Sequence, residues 1–155
     1  MFGILHTHSV YSQNDSTQTP EELVLRTKEL GYKDVTLTDH GTLLGIEEFL
    51  EAGERHGVNA IPGMEAYLED REHLLLIAKD EEGYRSIRKA SREANENITV
   101  IGRMKFPCMK EETLLRHFKG NNHVIVTSAC ISGPVAKILL KNHEKNKHIK
   151  KYLPL

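Results

Sequence analysis

At 155 residues with 39% hydrophobic and 28% charged content, the chain is long enough for one ordinary domain with a buried core. A formal charge of −1, from 21 basic and 22 acidic residues, excludes an overall electrostatic grip on nucleic acid, so any contact with DNA is expected to be local or made through a partner. No apolar run nears the roughly 20 residues needed to cross a bilayer, and residues 1–10 lack the charged-then-apolar order of a secretory signal, which points to a cytoplasmic protein with Cys108 and Cys130 reduced.

In chain order, residues 2–5 form a short apolar run leading into His6 and His8, as a buried strand leads into a loop. Thr19-Pro20-Glu21-Glu22 sets a capping residue, a first-turn proline and two acids in sequence, and the apolar positions Leu23, Val24 and Leu30 carry a helix up to Gly31. Residues 34–38 read as a second strand ending at Asp39-His40-Gly41. Residues 43–52 have helical spacing, and Gly57 closes that helix. A third strand is predicted over 58–61, a turn at Pro62-Gly63, and over 64–68 either its continuation or a new strand. The apolar run 73–78 is followed by a helix over 80–95, a short apolar segment of open type at 98–101, a helix over 110–118, a strand over 124–127 and a further helix from Pro134. Alternating strands and helices predict an α/β fold with parallel strands, in a doubly wound sheet or a barrel.

The polar residues that could carry chemistry fall at the carboxyl ends of these strands, which share one mouth in parallel α/β folds. His6 and His8 follow the first strand, Asp39 and His40 the second, and Cys130 the last. Glu65 and His73 flank the middle strands, and periodicity alone leaves open which face they take. His-x-His sets two imidazoles on one side of an extended segment, within reach of one ion. By itself that pattern equally suits two hydrogen-bonded histidines. Joined by Asp15, His40 and Glu65, it favours a metal site of imidazole and carboxylate, suited to zinc, manganese or iron. Asp39 either binds metal or orients a ligand histidine, and the second role is preferred. Cys130 alone reads as a small buried residue, as does Cys108 beside Pro107. His56, His117, His123, His143 and His148 lie outside any motif. The lysines of 137–151 (Lys137, Lys141, Lys145, Lys147, Lys150 and Lys151) read as a solvated helix face before a phosphate-binding patch.

The runs Leu5-His6-Thr7-His8-Ser9-Val10-Tyr11-Ser12, Thr38-Asp39-His40-Gly41, Ile61-Pro62-Gly63-Met64-Glu65-Ala66-Tyr67 and His73-Leu74-Leu75-Leu76-Ile77-Ala78-Lys79 resemble the polymerase and histidinol phosphatase (PHP) domain. Asp80-Glu81-Glu82-Gly83-Tyr84 and Ser128-Ala129-Cys130-Ile131-Ser132-Gly133-Pro134 draw the resemblance toward the branch at the amino terminus of bacterial DNA polymerase III alpha subunits. It implies a distorted barrel of seven strand–helix units with a trinuclear metal centre at its mouth, and metal-assisted hydrolysis of phosphodiester or pyrophosphate bonds, of the 3′-5′ exonuclease kind. Carried over, His6, His8 and Glu65 would hold one ion. Glu65 would bridge to a second held by His73 and Cys130, and Asp15 and His40 would hold the third. Glu65 and Asp39 are the residues on which activity would turn. The family completes its site with a later Asp-x-His pair that this sequence lacks, so the chain, read as a single PHP domain over 1–155, is expected to hold only the first part of the barrel. DNA or another phosphoester is the implied substrate, and polymerase subunits are the implied partners. An unpaired barrel edge would favour self-association. The alternative is a catalytically incomplete binding module of a replicative polymerase.

Overall fold

The computed structural model describes residues 3–12, 14–69, 71–101 and 104–145. Its elements in chain order are β1 (Gly3–Ile4), α1 (Pro20–Glu29), β2 (Asp34–Leu37), α2 (Ile46–His56), β3 (Asn59–Leu68), β4 (His73–Ala78), α3 (Glu81–Glu96), β5 (Ile98–Ile101), β6 (Met104–Met109), α4 (Glu111–Phe118), β7 (Val124–Ser128) and α5 (Pro134–Lys145). Phe2, the predicted start of the first strand, lies outside the described residues.

Local chemistry accounts for the helix ends. Thr19 Oγ1 accepts from the Glu22 backbone N–H at 3.2 Å while the Glu22 carboxylate accepts from the Thr19 N–H at 2.7 Å, the reciprocal capping pair that starts α1. Asp80 caps α3 through the Gly83 N–H at 3.0 Å. Gly57, with φ at +68°, ends α2 in the left-handed region that glycine tolerates best.

Among the described residues seven strands form one open sheet, with the path β1-β2-β3-β4-β7 and β6 attached to β3, followed by β5. β1, β2, β3 and β6 run parallel, as the alternation predicts. β4 and β7 join antiparallel instead, as does β5 on β6. For β4 the reason is loop length, since residues 69–72 suffice for a hairpin whereas a parallel crossover takes about a dozen residues or more, and β7 pairs antiparallel because its neighbour is the reversed β4. β3 is the spine. It passes through Pro62-Gly63 without turning, Pro62 pairing in register with Leu37. Gly63 makes this approach feasible, because a Cβ there would sit 2.8 Å from the Leu76 carbonyl oxygen and 2.9 Å from Thr38 Cγ2. Of the segments without a sequence assignment, 104–109 proves to be a strand.

Two clusters of apolar side chains hold the helices to the sheet. Leu23, Val24, Val35, Leu37, Ile46, Phe49, Ala52 and Val58 join α1 and α2 to β2, and Met64, Ala66, Leu76, Ile87, Ala90 and Met109 join α3 to β3, β4 and β6. Met64 and Ala66 face α3, so the pleat turns the intervening Glu65 to the opposite side of β3. Phe49 is fully buried. Phe49→Ala should lower the unfolding free energy by about 3–5 kcal/mol in urea titrations, whereas Leu115→Ala, at a half-exposed site on α4, should change it by about 0.5 kcal/mol or less.

Candidate metal centre

The centre is built around one buried carboxylate. Glu65 is 1% exposed, and its backbone N–H and C=O are both tied to the turn after β2, to the Asp39 carbonyl at 3.1 Å and the Gly41 N–H at 2.9 Å. This pairing carries the β2–β3 ladder past the end of β2 and aligns His40 with Glu65. The His6–His8 segment is pinned on the other side of β2: Thr38 N–H donates to the Thr7 carbonyl at 2.9 Å, and the Thr38 hydroxyl donates to the same oxygen at 3.0 Å. β4 begins at the mouth because it runs antiparallel, and its first residue, His73, pairs with Tyr67.

The two oxygens of Glu65 face different residues. Oε2 lies 2.8 Å from His6 Nε2, 3.2 Å from His8 Nε2 and 3.4 Å from His40 Nδ1. Oε1 lies 2.8 Å from His73 Nδ1 and 3.8 Å from Cys130 Sγ, and that sulfur is 3.9 Å from the same His73 nitrogen. Asp15 reaches in from the loop before α1, its Oδ2 3.2 Å from His40 Nε2 and 3.6 Å from His8 Nε2. The seven side chains singled out as ligands thus converge. Among the described residues three overlapping groups have ligand atoms close enough to share an ion: His6, His8 and Glu65; His8, Asp15 and His40; His40, Glu65 and His73. His40 Nδ1 is buried without a hydrogen-bond partner, a donor atom that a cation would satisfy.

Asp39, 2% exposed, stands behind this cluster. Its carboxylate accepts from Ser9 N–H at 2.7 Å, Ser9 Oγ at 2.6 Å and Ser12 Oγ at 2.6 Å. Ser12 Oγ, its hydrogen given to Asp39, accepts from the His40 N–H at 3.0 Å and lies 3.3 Å from His8 Nδ1. Neutral His8 must therefore carry its hydrogen on Nδ1, which leaves the Nε2 lone pair facing Glu65. The histidine that Asp39 orients is His8, through Ser12, while the His40 ring is held by stacking against His8 and Tyr67, with centroids 4.4 and 5.5 Å away. Sequence reasoning misses Ser9, Ser12 and Tyr67 as parts of the site. Tyr67 could have been found from its period-2 spacing to Glu65, while the serines carry no such signal.

The remaining histidines with described side chains sit elsewhere, His56 on Glu21, His117 on Glu93 and His123 on Asp80. The side chains of His143 and His148, and those of Lys145, Lys147, Lys150 and Lys151, lie outside the described residues. Cys108 is buried in β6, whereas Cys130 is exposed beside Glu65.

Without metal the cluster is an ion-pair network. Burial alone would raise the Glu65 carboxyl, but contacts from His73, His8 and His6 and the nearby His40 outweigh it and hold the group well below the usual carboxylate range. Burial lowers His8, yet the hydrogen bond and charge of Glu65 bring it above its ordinary 6.5. His40 falls below 6.5 through burial and through repulsion from His8 and His73. Burial, with the charges of Glu65 and Asp15, pushes the Tyr67 hydroxyl up to about 12. In metal-free protein, His8 contributes stability that is present below pH 6.5 and lost as pH rises through its raised value. His40 stays neutral where the unfolded chain is protonated, so its contribution is lost as pH falls below 6.5. Glu65 adds a further loss below pH 4.5. Melting temperature in chelator should therefore peak near pH 6.5, and His8→Ala should flatten the alkaline limb.

Residues 5–154 match the PHP domain family. The DNA polymerase III subunit alpha of Helicobacter pylori is 36% identical over 157 residues, covering 94% of this chain and 12% of that one. Its counterpart in Treponema pallidum is 32% identical over 170 residues, covering 99% of this chain and 14% of that one. The chain therefore spans about an eighth of the length of these relatives. A solved structure from Bifidobacterium adolescentis, described as a candidate metal-dependent phosphoesterase, is 30% identical with a TM-score of 0.45 and covers 61% of this chain and 34% of that one. With a match reaching from residue 5 to residue 154, this chain belongs to the PHP domain family.

Proposed function

We propose that the chain is a metal-dependent phosphoesterase domain, hydrolysing phosphodiester or pyrophosphate bonds in the manner of a 3′-5′ exonuclease associated with DNA replication. The observation that carries this reading is the split environment of Glu65: one carboxylate, buried and deprotonated, with three imidazoles on one oxygen and an imidazole and a thiol on the other. A carboxylate so placed can bridge two cations, the first with His6 and His8, the second with His73 and Cys130, with Asp15 and His40 offering a third position. Divalent zinc, manganese or iron suits such imidazole and carboxylate donors, and the thiol at Cys130 favours zinc at its position. A bound cation of this kind supplies Lewis-acid polarisation of a phosphoryl oxygen and lowers the pKa of water toward about 7. The chain's own residues do the rest. Glu65 holds the ligand sets in register, Ser12 keeps the hydrogen of His8 away from the centre, and Asp39 holds Ser12. The names of the polymerase relatives support a replication setting, with polymerase subunits as partners and DNA as the substrate, and a cytoplasmic location belongs to the same reading. Among the described residues no helix is long and apolar enough to cross a membrane.

A second reading, a binding module of a replicative polymerase with an incomplete centre, is favoured by the lack of any Asp-x-His pair in the sequence. Two measurements separate the readings. Metal analysis and hydrolysis of bis(p-nitrophenyl) phosphate and single-stranded DNA with Mn²⁺ or Zn²⁺ should find at least two equivalents of metal and turnover. Both should be lost in Glu65→Ala and unchanged in His56→Ala. Asp39→Ala should weaken metal binding by about 10- to 100-fold, less than loss of a ligand. Turnover that survives Glu65→Ala would exclude the mechanism, and a metal-free, inactive parent would favour the second reading.

Self-association belongs to either reading. β7 is an end strand, and Ile125, Val126, Ile131, Val135, Ile138 and Leu139 are exposed on it and on the segment that follows. Unpaired edges and contiguous apolar surface favour pairing with another chain. Sedimentation should find dimers whose fraction grows with concentration and falls in Ile138→Lys, and a monomer at every concentration would argue against it.

A further inference from the structure

A cavity of 880 Å³ opens beside the metal centre, with His40 and Tyr67 in its wall. To its lining α3 contributes Tyr84, Arg88, Arg92 and Asn95, and β6 contributes Lys105 and Phe106. The lining includes three cations and no aspartate or glutamate, although the whole chain has one more acidic than basic residue. Among the described residues neither Arg88 nor Lys105 has a carboxylate within salt-bridge distance. Arg88 lies over the Tyr84 ring at 5.7 Å. Arg92 meets only Glu96 of its own helix, at 3.7 Å with both side chains largely exposed, a pairing worth little in water. Of the acids of α3, Glu96 reaches this face through Arg92, while Glu93 is engaged by His117, Arg116 and Thr113 of α4. A solvated helix face ordinarily intersperses both signs, whereas this one concentrates one sign in a concavity, where low-dielectric walls focus the field.

We propose that Arg88, Arg92 and Lys105 bind phosphates of the substrate other than the one attacked, and that the aromatic rings of the cavity receive its bases. The substrate class is then a phosphodiester strand with unpaired bases. Resting on the phosphoester reading above, this assigns the recognition of that substrate to residues outside the metal cluster. Cations spaced four residues apart on α3 follow a backbone, and Tyr84 and Phe106 offer the ring surfaces on which unpaired bases stack.

The test is fluorescence anisotropy of a labelled single-stranded oligothymidylate with the full chain in Mn²⁺, over a range of NaCl. The double variant Arg88→Ala/Lys105→Ala should bind at least about tenfold more weakly, with the slope of log affinity against log salt reduced by about 1.4, roughly 0.7 for each single-strand phosphate left without its cation. Arg85→Ala, on the same helix but outside the cavity, should bind as the parent does. Duplex of equal length should bind more weakly than the single strand, because paired bases cannot stack on the rings. Equal affinity and salt slope in parent and double variant, a parent that binds no oligonucleotide at low salt, or duplex bound as well as single strand would each overturn the proposal. Both substituted side chains are exposed, and matching melting temperatures verify that the variants fold. Binding is read without turnover, so an inactive protein still tests the cationic wall. Hydrolysis of bis(p-nitrophenyl) phosphate, which carries a single phosphate, reports the metal centre separately.

Discussion

The buried carboxylate of Glu65 is the constraint around which the site is organised. A carboxylate withdrawn from water and left unpaired would cost several kcal/mol, so a sequence that places glutamate between Met64 and Ala66 in a central strand requires positive or donor groups on the same face. Four imidazoles meet that need, brought by three different pieces of chain. His6 and His8 come from the segment after β1, His40 from the turn after β2, and His73 from the start of β4. Because side chains alternate along β3, the residues on either side of Glu65 pack under α3 and hold it in register. Apolar packing on one face of the strand thereby positions the polar chemistry on the other.

Asp39 and its two serines form the second layer of this arrangement. Three hydrogen bonds into one buried carboxylate fix the 9–12 turn against the end of β2, and that turn in turn orients His8. Buried polar networks of this kind rigidify when every member is satisfied. Among the described residues the buried imidazole nitrogen left without a hydrogen bond, Nδ1 of His40, lies 3.4 Å from Glu65 Oε2 within the centre itself. The contrast separates the scaffold, whose hydrogen bonds are closed, from the centre, whose donor atoms are left available.

The open sheet has two consequences of opposite kind. On the side of α3 and β6, openness leaves a cationic cavity next to His40. At β7 it leaves a strand edge and an apolar surface continuing into α5. The first is cationic and concave, and the second is apolar, suited to another polypeptide surface. Both lie around a cluster whose candidate ligands come mainly from the amino-terminal half of the chain.

His6, His8, His40 and Glu65 were legible in the sequence because each sits in a short local pattern, His-x-His after an apolar run, Asp-His-Gly after a strand and Pro-Gly-Met-Glu, whereas Asp15, His73 and Cys130 were joined to them by the family resemblance. Helix limits were legible for the same reason, since the Thr19 cap and the Gly57 stop depend on neighbours within a few residues. What periodicity left open was the face of Glu65 and His73, and pairing across β2, β3 and β4 decided it. The passage of β3 through Pro62-Gly63, the antiparallel entry of β4 and β7, and the strand at 104–109 depend on which backbone edges are free to pair, a property of the assembled sheet. Which histidine Asp39 orients was also left open by the sequence, and it is His8, because Ser12, distant in sequence from Asp39, lies between them in space. The grouping of Arg88, Arg92 and Lys105 was decided by tertiary structure alone. A net charge of −1 says nothing of where charges lie, and only the packing of α3 on β6 brings these cations together on one wall.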